Sequence, residues 1–267
     1  MSDHDTTAVS AEALRTSFRA PFPPTLVDVR RRAAFERDPV RLPMALRHEP
    51  EEIDRWASQL EPWRPVVVYC VHGHEVSQNA AATLRARGFD AHSLEGGIVQ
   101  WRDQGGPVEP WRPGSRWITR ERPKIDRIAC PWLIRRFVDA SAEIIYAPPK
   151  NVRAVAAEQA ATPFDIPDVE YSHDGERCSF DAFVERHVPG DPALDALADI
   201  VRAADTDTLD RAAPAAGLLA VSLGLGRGIA DDQALLRHGL LVYDALYAWC
   251  REGRGERHGW DPVALRK

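Results

Sequence analysis

The sequence predicts an α/β fold, a parallel sheet flanked by helices, followed by a mainly helical second domain with a minor β element. In the first 105 residues, short apolar runs alternate with helix-like segments, a pattern typical of parallel strands joined by helices. Helical periodicity dominates the rest of the chain. Residues 105–117 contain three prolines and three glycines, which interrupt regular structure. We therefore expect domains at 1–105 and 117–267, joined by a linker at 106–116.

The composition is that of a soluble globular protein and argues against two kinds of partner. Of the 267 residues, 44% are hydrophobic and 28% are charged. A formal charge of -6 makes nucleic acid an unexpected partner, because such binding needs positive charge to neutralise phosphates. The most apolar stretch, Gly217 to Gly226, is far shorter than the ~20 residues that span a bilayer, so no membrane partner is expected. The first ten residues have no apolar core and the four cysteines form no CxxC pair, so we expect a cytoplasmic protein with reduced thiols.

The elements of the first domain follow from residue type. Val66 to Tyr69 is an apolar, β-branched run that suits a buried strand. The helix that starts at Pro50 has acidic residues in its first turn, and Gly88 is typical of the end of a helix. We predict helices over residues 8–19, 50–60 and 77–87, and strands over residues 25–30, 66–69 and 89–94.

The second domain is predicted to be mostly helix. In the last helix, apolar residues recur at spacings of three and four and form one stripe, which predicts a buried face. That stripe is Leu236, Leu240, Tyr243, Tyr247 and Cys250. We predict helices over residues 130–139, 152–160, 179–187, 193–204 and 232–252, and strands over residues 142–147 and 168–172.

Cys70 lies where a predicted strand ends, the edge at which open α/β sheets bind ligands. Successive N–H groups in a tight loop that leads into a helix can form an anion-binding nest. The same field favours the thiolate over the thiol, so this loop can hold an oxyanion and present a nucleophile to it. A buried, inert cysteine is the alternative, which the glycine, the two histidines and the helix start beside Cys70 make less favoured. The candidate catalytic residue is Cys70, and the active-site loop is Val71, His72, Gly73, His74, Glu75, Val76 and Ser77.

Four segments of the first domain form a recognisable set: Leu26–Arg30, Leu42–Leu46, Cys70 at the start of its loop, and Leu94–Trp101 with paired glycines. Together they resemble a single-domain rhodanese. The resemblance implies an α/β fold in which Cys70 accepts a sulfane sulfur as a persulfide and passes it to a nucleophile. It implies a small sulfur-containing or oxyanion substrate. It also implies a thiol acceptor, either a small molecule or a protein. No cofactor is expected.

The loop departs from the family pattern in length. Counted from Cys70 to Ser77, where we predict the helix to start, it is one residue longer than in many small sulfurtransferases. This spacing is closer to the Cys-x5-Arg loop of dual-specificity phosphatases and arsenate reductases, but Val76 stands at the arginine position. Without that guanidinium, phosphate-ester hydrolysis loses its main charge clamp, so we discount phosphatase activity.

Charged residues near this loop have two interpretations. His72, His74 and Glu75 either tune the local field or bind the acceptor, or they are solvated loop residues. Asp28 and Arg30 are expected to support the site by anchoring the end of their strand through hydrogen bonds.

A basic run opens the second domain. We interpret it as a solvated face, an oxyanion or nucleotide pocket, or a surface for an acidic partner. Pro131 suits the first position of a helix, which would place Cys130 near the N-cap in an electropositive setting. A packed, inert cysteine is the alternative there. The candidate oxyanion or second thiol site is Arg120, Lys124, Arg127, Cys130, Arg135 and Arg136.

A histidine and several carboxylates farther along the chain suggest a metal or acid–base site. His173, Asp181, Asp207 and Asp244 are tentative ligands, although no tight metal-ligand spacing is present. The alternative is that Ser179 or Asp181 caps a helix, and that Asp205 or Asp207 ends one.

Five runs of the second domain form another set: Thr119–Arg136, His173 with Cys178–Asp181, Ala203–Asp207, Gly217–Leu219 and Tyr243–Trp249. Together they resemble the C-terminal domain of ChrB-type chromate-resistance proteins. That resemblance implies a role in chromate resistance or sensing and supplies no reaction. We therefore expect a rhodanese-type sulfurtransferase associated with chromate resistance. The alternative is a chromate- or oxyanion-binding sensor or regulatory protein without turnover. Chromate reduction is disfavoured, because no GxGxxG follows a predicted strand.

Overall fold

The computed structural model describes residues 7–256, and this part of the chain forms two compact units. Unit 1 contains the described residues up to Ile118, together with Leu133–Ile145 and Arg153–Thr162. Unit 2 contains Thr119–Trp132, Tyr146–Val152 and the described residues from Pro163 onward. Neither unit is continuous in sequence, and the domain bounds at 105 and 117 stay a prediction. Residues 257–267 of the predicted second domain lie outside the described residues.

Strands and helices alternate in the first part of the chain, as predicted. In chain order they are β1 (Ala8–Val9), α1 (Ala11–Ser17), β2 (Thr25–Asp28), α2 (Arg32–Arg37), β3 (Val40–Arg41), β4 (Leu46–Arg47), α3 (Ile53–Trp56), β5 (Val66–Tyr69), α4 (Glu75–Ala86), β6 (Ala91–Leu94), α5 (Gly97–Asp103) and β7 (Glu109–Pro110). Five of the strands form one sheet in the order β1-β6-β5-β2-β4, and every adjacent pair is parallel. The predicted parallel sheet flanked by helices is therefore confirmed.

Both faces of this sheet are buried. Neighbouring residues of a strand point to opposite faces, and each face packs against helices. In β5, Val68 packs in one apolar cluster with Leu84 of α4. Its neighbours Val67 and Tyr69 pack in the other cluster with Trp101 of α5. The end of β5, where Cys70 follows, is consequently held from both sides.

Several boundaries in unit 1 differ from the prediction; the strands predicted over 25–30 and 89–94, for example, are Thr25–Asp28 and Ala91–Leu94. The first helix begins at Ala11 because the Ser10 side chain caps it by accepting from the Ala13 N–H at 3.1 Å. The predicted helix over residues 50–60 is divided into the short helix α3 and two flanking 3-10 turns. The helix after Cys70 begins at Glu75, two residues before the predicted Ser77, so the connecting loop is shorter than expected.

The remaining elements are mostly helices, as predicted for this part of the chain. They are β8 (Arg116–Arg120), α6 (Asp126–Leu133), β9 (Glu143–Ala147), α7 (Val152–Gln159), β10 (Thr162–Pro163), α8 (Ser179–His187), α9 (Pro192–Asp205), α10 (Ala215–Gly228) and α11 (Asp232–Ala248). The three strands form a small sheet in the order β10-β8-β9. Across residues 7–256, none of the helices combines the length and the apolar character needed to cross a bilayer.

Pro131 is not the first residue of a helix, so that prediction is wrong. Helix α6 begins at Asp126 and contains Pro131 in its interior. A proline there cannot donate to the carbonyl four residues earlier, which belongs to Arg127. The Tyr146 hydroxyl donates to this carbonyl at 3.0 Å and so replaces the missing bond. The predicted strand over 168–172 is also wrong, because only a single bridge joins Tyr171 to Phe164.

Candidate active site

Cys70 follows β5 directly and faces the first turn of α4. Its side chain is nearly buried, with 6% of the residue exposed. The Ser77 hydroxyl lies 3.2 Å from Cys70 Sγ and 3.2 Å from the His74 carbonyl oxygen, so its single proton serves one of these acceptors at a time. When the proton points to sulfur, the hydroxyl stabilises a thiolate.

The backbone around Cys70 offers further donors. The first N–H groups of a helix have no acceptor inside the helix. Among the hydrogen bonds of residues 7–256, none uses a backbone N–H of residues 71–77 as donor. His74 occupies the N-cap of α4, and its side chain makes no capping bond. These N–H groups therefore have no acceptor within the part of the chain that the structure describes.

Two glycines with positive φ fix the position of this loop. Gly73 has φ of 70° and Gly97 has φ of 58°. A Cβ at Gly97 would collide with the carbonyl oxygen of Cys70, and a Cβ at Gly73 would collide with that of Leu94. The N–H groups of Ile98 and Val99 donate to the carbonyls of Cys70 and Val71 at 3.0 and 3.2 Å, so the start of α5 is hydrogen-bonded to the loop.

Asp28 and Arg30 are buried and bind each other. The Arg30 guanidinium contacts the Asp28 carboxylate with Nη2–Oδ2 at 2.6 Å and Nε–Oδ1 at 3.0 Å. It also donates to the carbonyls of Asp38 and Val40. The pair therefore anchors the chain after β2, as expected of supporting residues. His72, His74 and Glu75, in contrast, are exposed to solvent.

A groove beside α4 contains a cation that the sequence did not indicate. This groove, of about 200 Å³, is lined in part by Arg31, Val76, Asn79 and Thr83. Arg31 pairs weakly with Glu51, with 3.6 Å between Nε and Oε1, and both side chains are mostly exposed. Arg30 and Arg31 are adjacent in the chain, so the sequence alone cannot tell which of them is structural. In the structure Arg30 is buried, whereas Arg31 is accessible.

The structure divides the predicted basic site between the two units. Arg135 and Arg136 belong to unit 1, where they bind the Ala142 carbonyl at 3.3 Å and the Glu61 carboxylate at 2.8 Å. In unit 2, Arg120 and Arg127 both contact Asp165, at 2.7 and 3.2 Å. Lys124 is exposed. Most of these cations are thus already paired with protein acceptors.

Cys130 does not have the electropositive surroundings predicted for it. It lies inside α6, is fully buried and is close to Asp126 rather than at an N-cap. Burial, and to a smaller extent the charge of Asp126, raises the pKa of the Cys130 thiol well above its ordinary value. The pKa of the Cys178 thiol is likewise raised by burial and by Asp181. Both cysteines are therefore held as thiols.

His173 lies among three carboxylates of unit 2. Its Nε2 is 3.2 Å from Asp205 Oδ2, 3.3 Å from Asp126 Oδ2 and 3.5 Å from Asp165 Oδ1. Contact with Asp126, aided by the charges of Asp205 and Asp165, raises the pKa of His173 to about 9. Burial and the neighbouring Asp126 raise the pKa of Asp205 to about 7. We call Asp126, His173 and Asp205 the carboxylate–histidine cluster.

Of the four tentative metal ligands, only His173 belongs to this cluster. Asp181 accepts two hydrogen bonds from Arg202 and one from the Cys178 N–H, which makes it a helix cap. Asp244 accepts from Trp132 Nε1 at 2.8 Å. Asp207 is exposed just after α9, with φ of 58°. The sequence analysis missed Asp126 as a ligand and treated Asp205 only as the end of a helix, because no local pattern in the chain links either residue to His173.

Two curated proteins match different parts of this chain. Protein ChrB of Cupriavidus metallidurans is 31% identical over 170 residues, covering 63% of this chain and 49% of that protein. Thiosulfate sulfurtransferase GlpE of Shewanella oneidensis is 43% identical over 54 residues, covering 20% of this chain and 52% of that protein. The chain thus spans about half the length of these relatives. A solved rhodanese-related protein from Thermoplasma volcanium is 25% identical, with a TM-score of 0.34, over 38% of this chain and 96% of that one.

Family models divide the chain in the same way. Residues 10–104 match the rhodanese-like domain, which confirms the resemblance seen around Cys70. Residues 117–250, half of the chain, match the C-terminal domain of ChrB, which confirms the second resemblance. The chain therefore belongs to the family of the ChrB C-terminal domain and carries a rhodanese-like domain before it.

Proposed function

We propose that this protein is a sulfurtransferase in which Cys70 carries sulfur as a persulfide. The observation on which the proposal rests is the position of Cys70 Sγ, 3.2 Å from the Ser77 hydroxyl at the start of α4, beside unused N–H groups. The match to a thiosulfate sulfurtransferase and to the rhodanese-like domain supports the same chemistry. Thiosulfate is the donor that we propose for the test.

The reaction has two displacement steps. In the first, the Cys70 thiolate attacks the outer sulfur of thiosulfate, the S–S bond of thiosulfate breaks, and sulfite leaves with the bonding electron pair. In the second, an acceptor thiolate attacks the outer sulfur of the persulfide and releases the Cys70 thiolate. The product is a persulfide of the acceptor, and no external oxidant or reductant is required.

The loop contributes charge stabilisation at both steps. The Ser77 hydroxyl, 3.2 Å from Sγ, stabilises the Cys70 thiolate, and the unused N–H groups of the loop are available to the outer sulfur and to the departing sulfite. The exposed side chains of His72, His74 and Glu75 face the acceptor.

The decisive experiment is mass spectrometry of the purified full chain after treatment with thiosulfate. We expect an adduct of about 32 Da, one sulfur atom, on the peptide that contains Cys70. Sulfite release should follow the wild-type protein and should fall by at least about 1,000-fold in the Cys70→Ser variant.

The matched control is Cys250→Ser, which removes a buried thiol of unit 2. This variant should keep its sulfite release and its adduct on Cys70. Transfer that persists in Cys70→Ser, or an adduct found only on another cysteine, would refute the mechanism.

We further propose that sulfur transfer serves chromate resistance. The match of residues 117–250 to the ChrB C-terminal domain supports this association. A bacterium lacking the gene should be more sensitive to chromate, and Cys70→Ser should fail to restore growth. Full restoration by that variant would separate chromate resistance from sulfur transfer.

A further inference from the structure

The carboxylate–histidine cluster has too little positive charge for its buried acids. Asp165 is neutralised by Arg120 and Arg127. In the part of the chain that the structure describes, no lysine or arginine pairs with Asp126 or Asp205, and His173 is their shared ionic contact. Two carboxylates and a neutral imidazole would together balance one divalent cation. The cluster therefore has the charge of a metal site.

Asp126 supplies an independent indication that a ligand is bound here. The residue is only 2% exposed. Its Oδ2 accepts no hydrogen bond, although it lies 3.3 Å from His173 Nε2. A buried carboxylate oxygen without a donor is costly, and native structures rarely leave one unsatisfied. A cation between Asp126 and His173 would satisfy that oxygen.

The distances in the cluster fit tetrahedral coordination. Ligands that bind Zn²⁺ at 2.0–2.1 Å in a tetrahedron are about 3.3 Å apart. His173 Nε2 is 3.3 Å from Asp126 Oδ2 and 3.2 Å from Asp205 Oδ2. One ligand atom from each of the three residues lies within 4.8 Å of the other two. An ion can be bound with little movement of these side chains.

The three residues of the cluster lie at the ends of two helices and beside a turn of unit 2. Asp126 is the first residue of α6, and Asp205 is the last residue of α9. His173 precedes a tight turn in which Asp174 and Arg177 exchange two backbone hydrogen bonds of 3.0 Å. The His173 side chain is 41% exposed, so the cluster is open to solvent on one side.

We propose that Asp126, His173 and Asp205 bind a divalent first-row transition metal ion, such as Zn²⁺, and leave one coordination position to solvent. A nitrogen donor with two carboxylates suits such an ion better than Mg²⁺, which prefers six oxygen ligands. Three protein ligands with an open fourth position are typical of reactive rather than structural zinc sites. This site is separate from Cys70 and does not depend on sulfur transfer.

The test is calorimetric titration of the chelator-treated full chain with Zn²⁺. We expect one equivalent to bind, and we expect His173→Gln and Asp205→Asn each to weaken binding by at least about 50-fold. His238→Gln, which removes an exposed histidine of the same unit, should bind as the wild type does. Circular dichroism of the metal-free variants checks that they fold, and His173→Gln is the safer variant because His173 is exposed.

Substitution with Co²⁺ identifies the donor atoms. Tetrahedral nitrogen and oxygen ligands should give visible d–d bands without the near-ultraviolet band of a cobalt–thiolate bond. Absence of binding, binding that His173→Gln and Asp205→Asn leave unchanged, or a thiolate band from Cys130 or Cys178 would overturn the proposal. Preferential binding of Mg²⁺ over Zn²⁺ would overturn it as well.

Discussion

Cys70 and Cys130 are both cysteines beside a helix, and they have opposite electrostatic surroundings. Cys70 precedes α4, and the N–H groups of the loop and of the first helical turn that follow it are unused. Cys130 lies inside α6, where the backbone bonds of the helix are made and where Asp126 is the nearest charged influence. The two cysteines therefore differ in position relative to the helix start, and only Cys130 has the buried, acidic surroundings that hold it as a thiol.

Two histidines, one in each unit, have pKa values that are shifted in opposite directions. Burial, with the charge of Arg47 as a smaller cause, lowers the pKa of His48 in unit 1 to about 4. The surrounding carboxylates raise the pKa of His173 in unit 2 to about 9. These surroundings fix the protonation state of the two residues at neutral pH, His48 as the neutral ring and His173 as the cation when no metal ion is bound.

Alkylation of the native protein should show the largest difference between the two cysteines. Cys70 is 6% exposed in a loop, whereas Cys130 is fully buried and protonated. We expect iodoacetamide to modify Cys70 at least about 1,000-fold faster, because Cys130 reacts only after local unfolding. Peptide mass spectrometry against reaction time measures both rates. The reference is the unfolded protein in denaturant, where the two cysteines should react at equal rates. Equal rates in the native protein would contradict the proposed difference between Cys70 and Cys130.

A pair of glycine variants tests whether packing against α5 holds the Cys70 loop. Gly97→Ala and Gly88→Ala both place a side chain at positive φ, which costs about 1 kcal/mol. Only the Cβ at position 97 meets the Cys70 carbonyl, since nothing lies within 4 Å of a Cβ at position 88. We expect Gly97→Ala to lower sulfite release by about 100-fold, because the nucleophile is displaced. Gly88→Ala should release sulfite at the wild-type rate, and equal losses in the two variants would contradict this account.

The free energy of unfolding at acidic pH should depend on the environment of His48. Its pKa is 6.5 when unfolded and about 4 when folded, so its contribution to stability is present above pH 6.5 and is lost as pH falls toward 4. His48→Phe preserves the ring stacked on Trp56 and removes the titration. Urea unfolding at pH 7.5 and pH 4.5 should show that the wild type loses about 2 to 3 kcal/mol more than the variant. If both proteins lose the same free energy of unfolding between pH 7.5 and pH 4.5, His48 is not the titrating group.

Local signals in the sequence were sufficient for several elements. Val66–Tyr69 and Ser179–His187 have the predicted bounds, because a β-branched run and a helix with an acidic first turn are legible without tertiary contacts. Helix α10 (Ala215–Gly228) was not predicted, since glycines and uniformly apolar residues give no amphipathic pattern. Pro131 misled the prediction because its compensating partner, the hydroxyl of Tyr146, lies in another part of the chain.

The two sites differ in how much of each the sequence could reveal. The loop of Cys70 is continuous in the chain, and its glycine, strand end and helix start could be recognised together. The carboxylate–histidine cluster joins residues from α6, the turn after Tyr171 and the end of α9. Only the fold brings Asp126 and Asp205 to His173, so the sequence indicated one member of the three.

The contact between Gly73 and Gly97 constrains how related chains can diverge. The two positions tolerate no side chain, so mutation can hardly alter the base of the sulfur-bearing loop. His72, His74 and Glu75, above that base, lie in solvent and carry no such restriction. Under the proposed sulfur-transfer function, a new acceptor preference would therefore evolve through these three residues, while the position of Cys70 would be inherited unchanged.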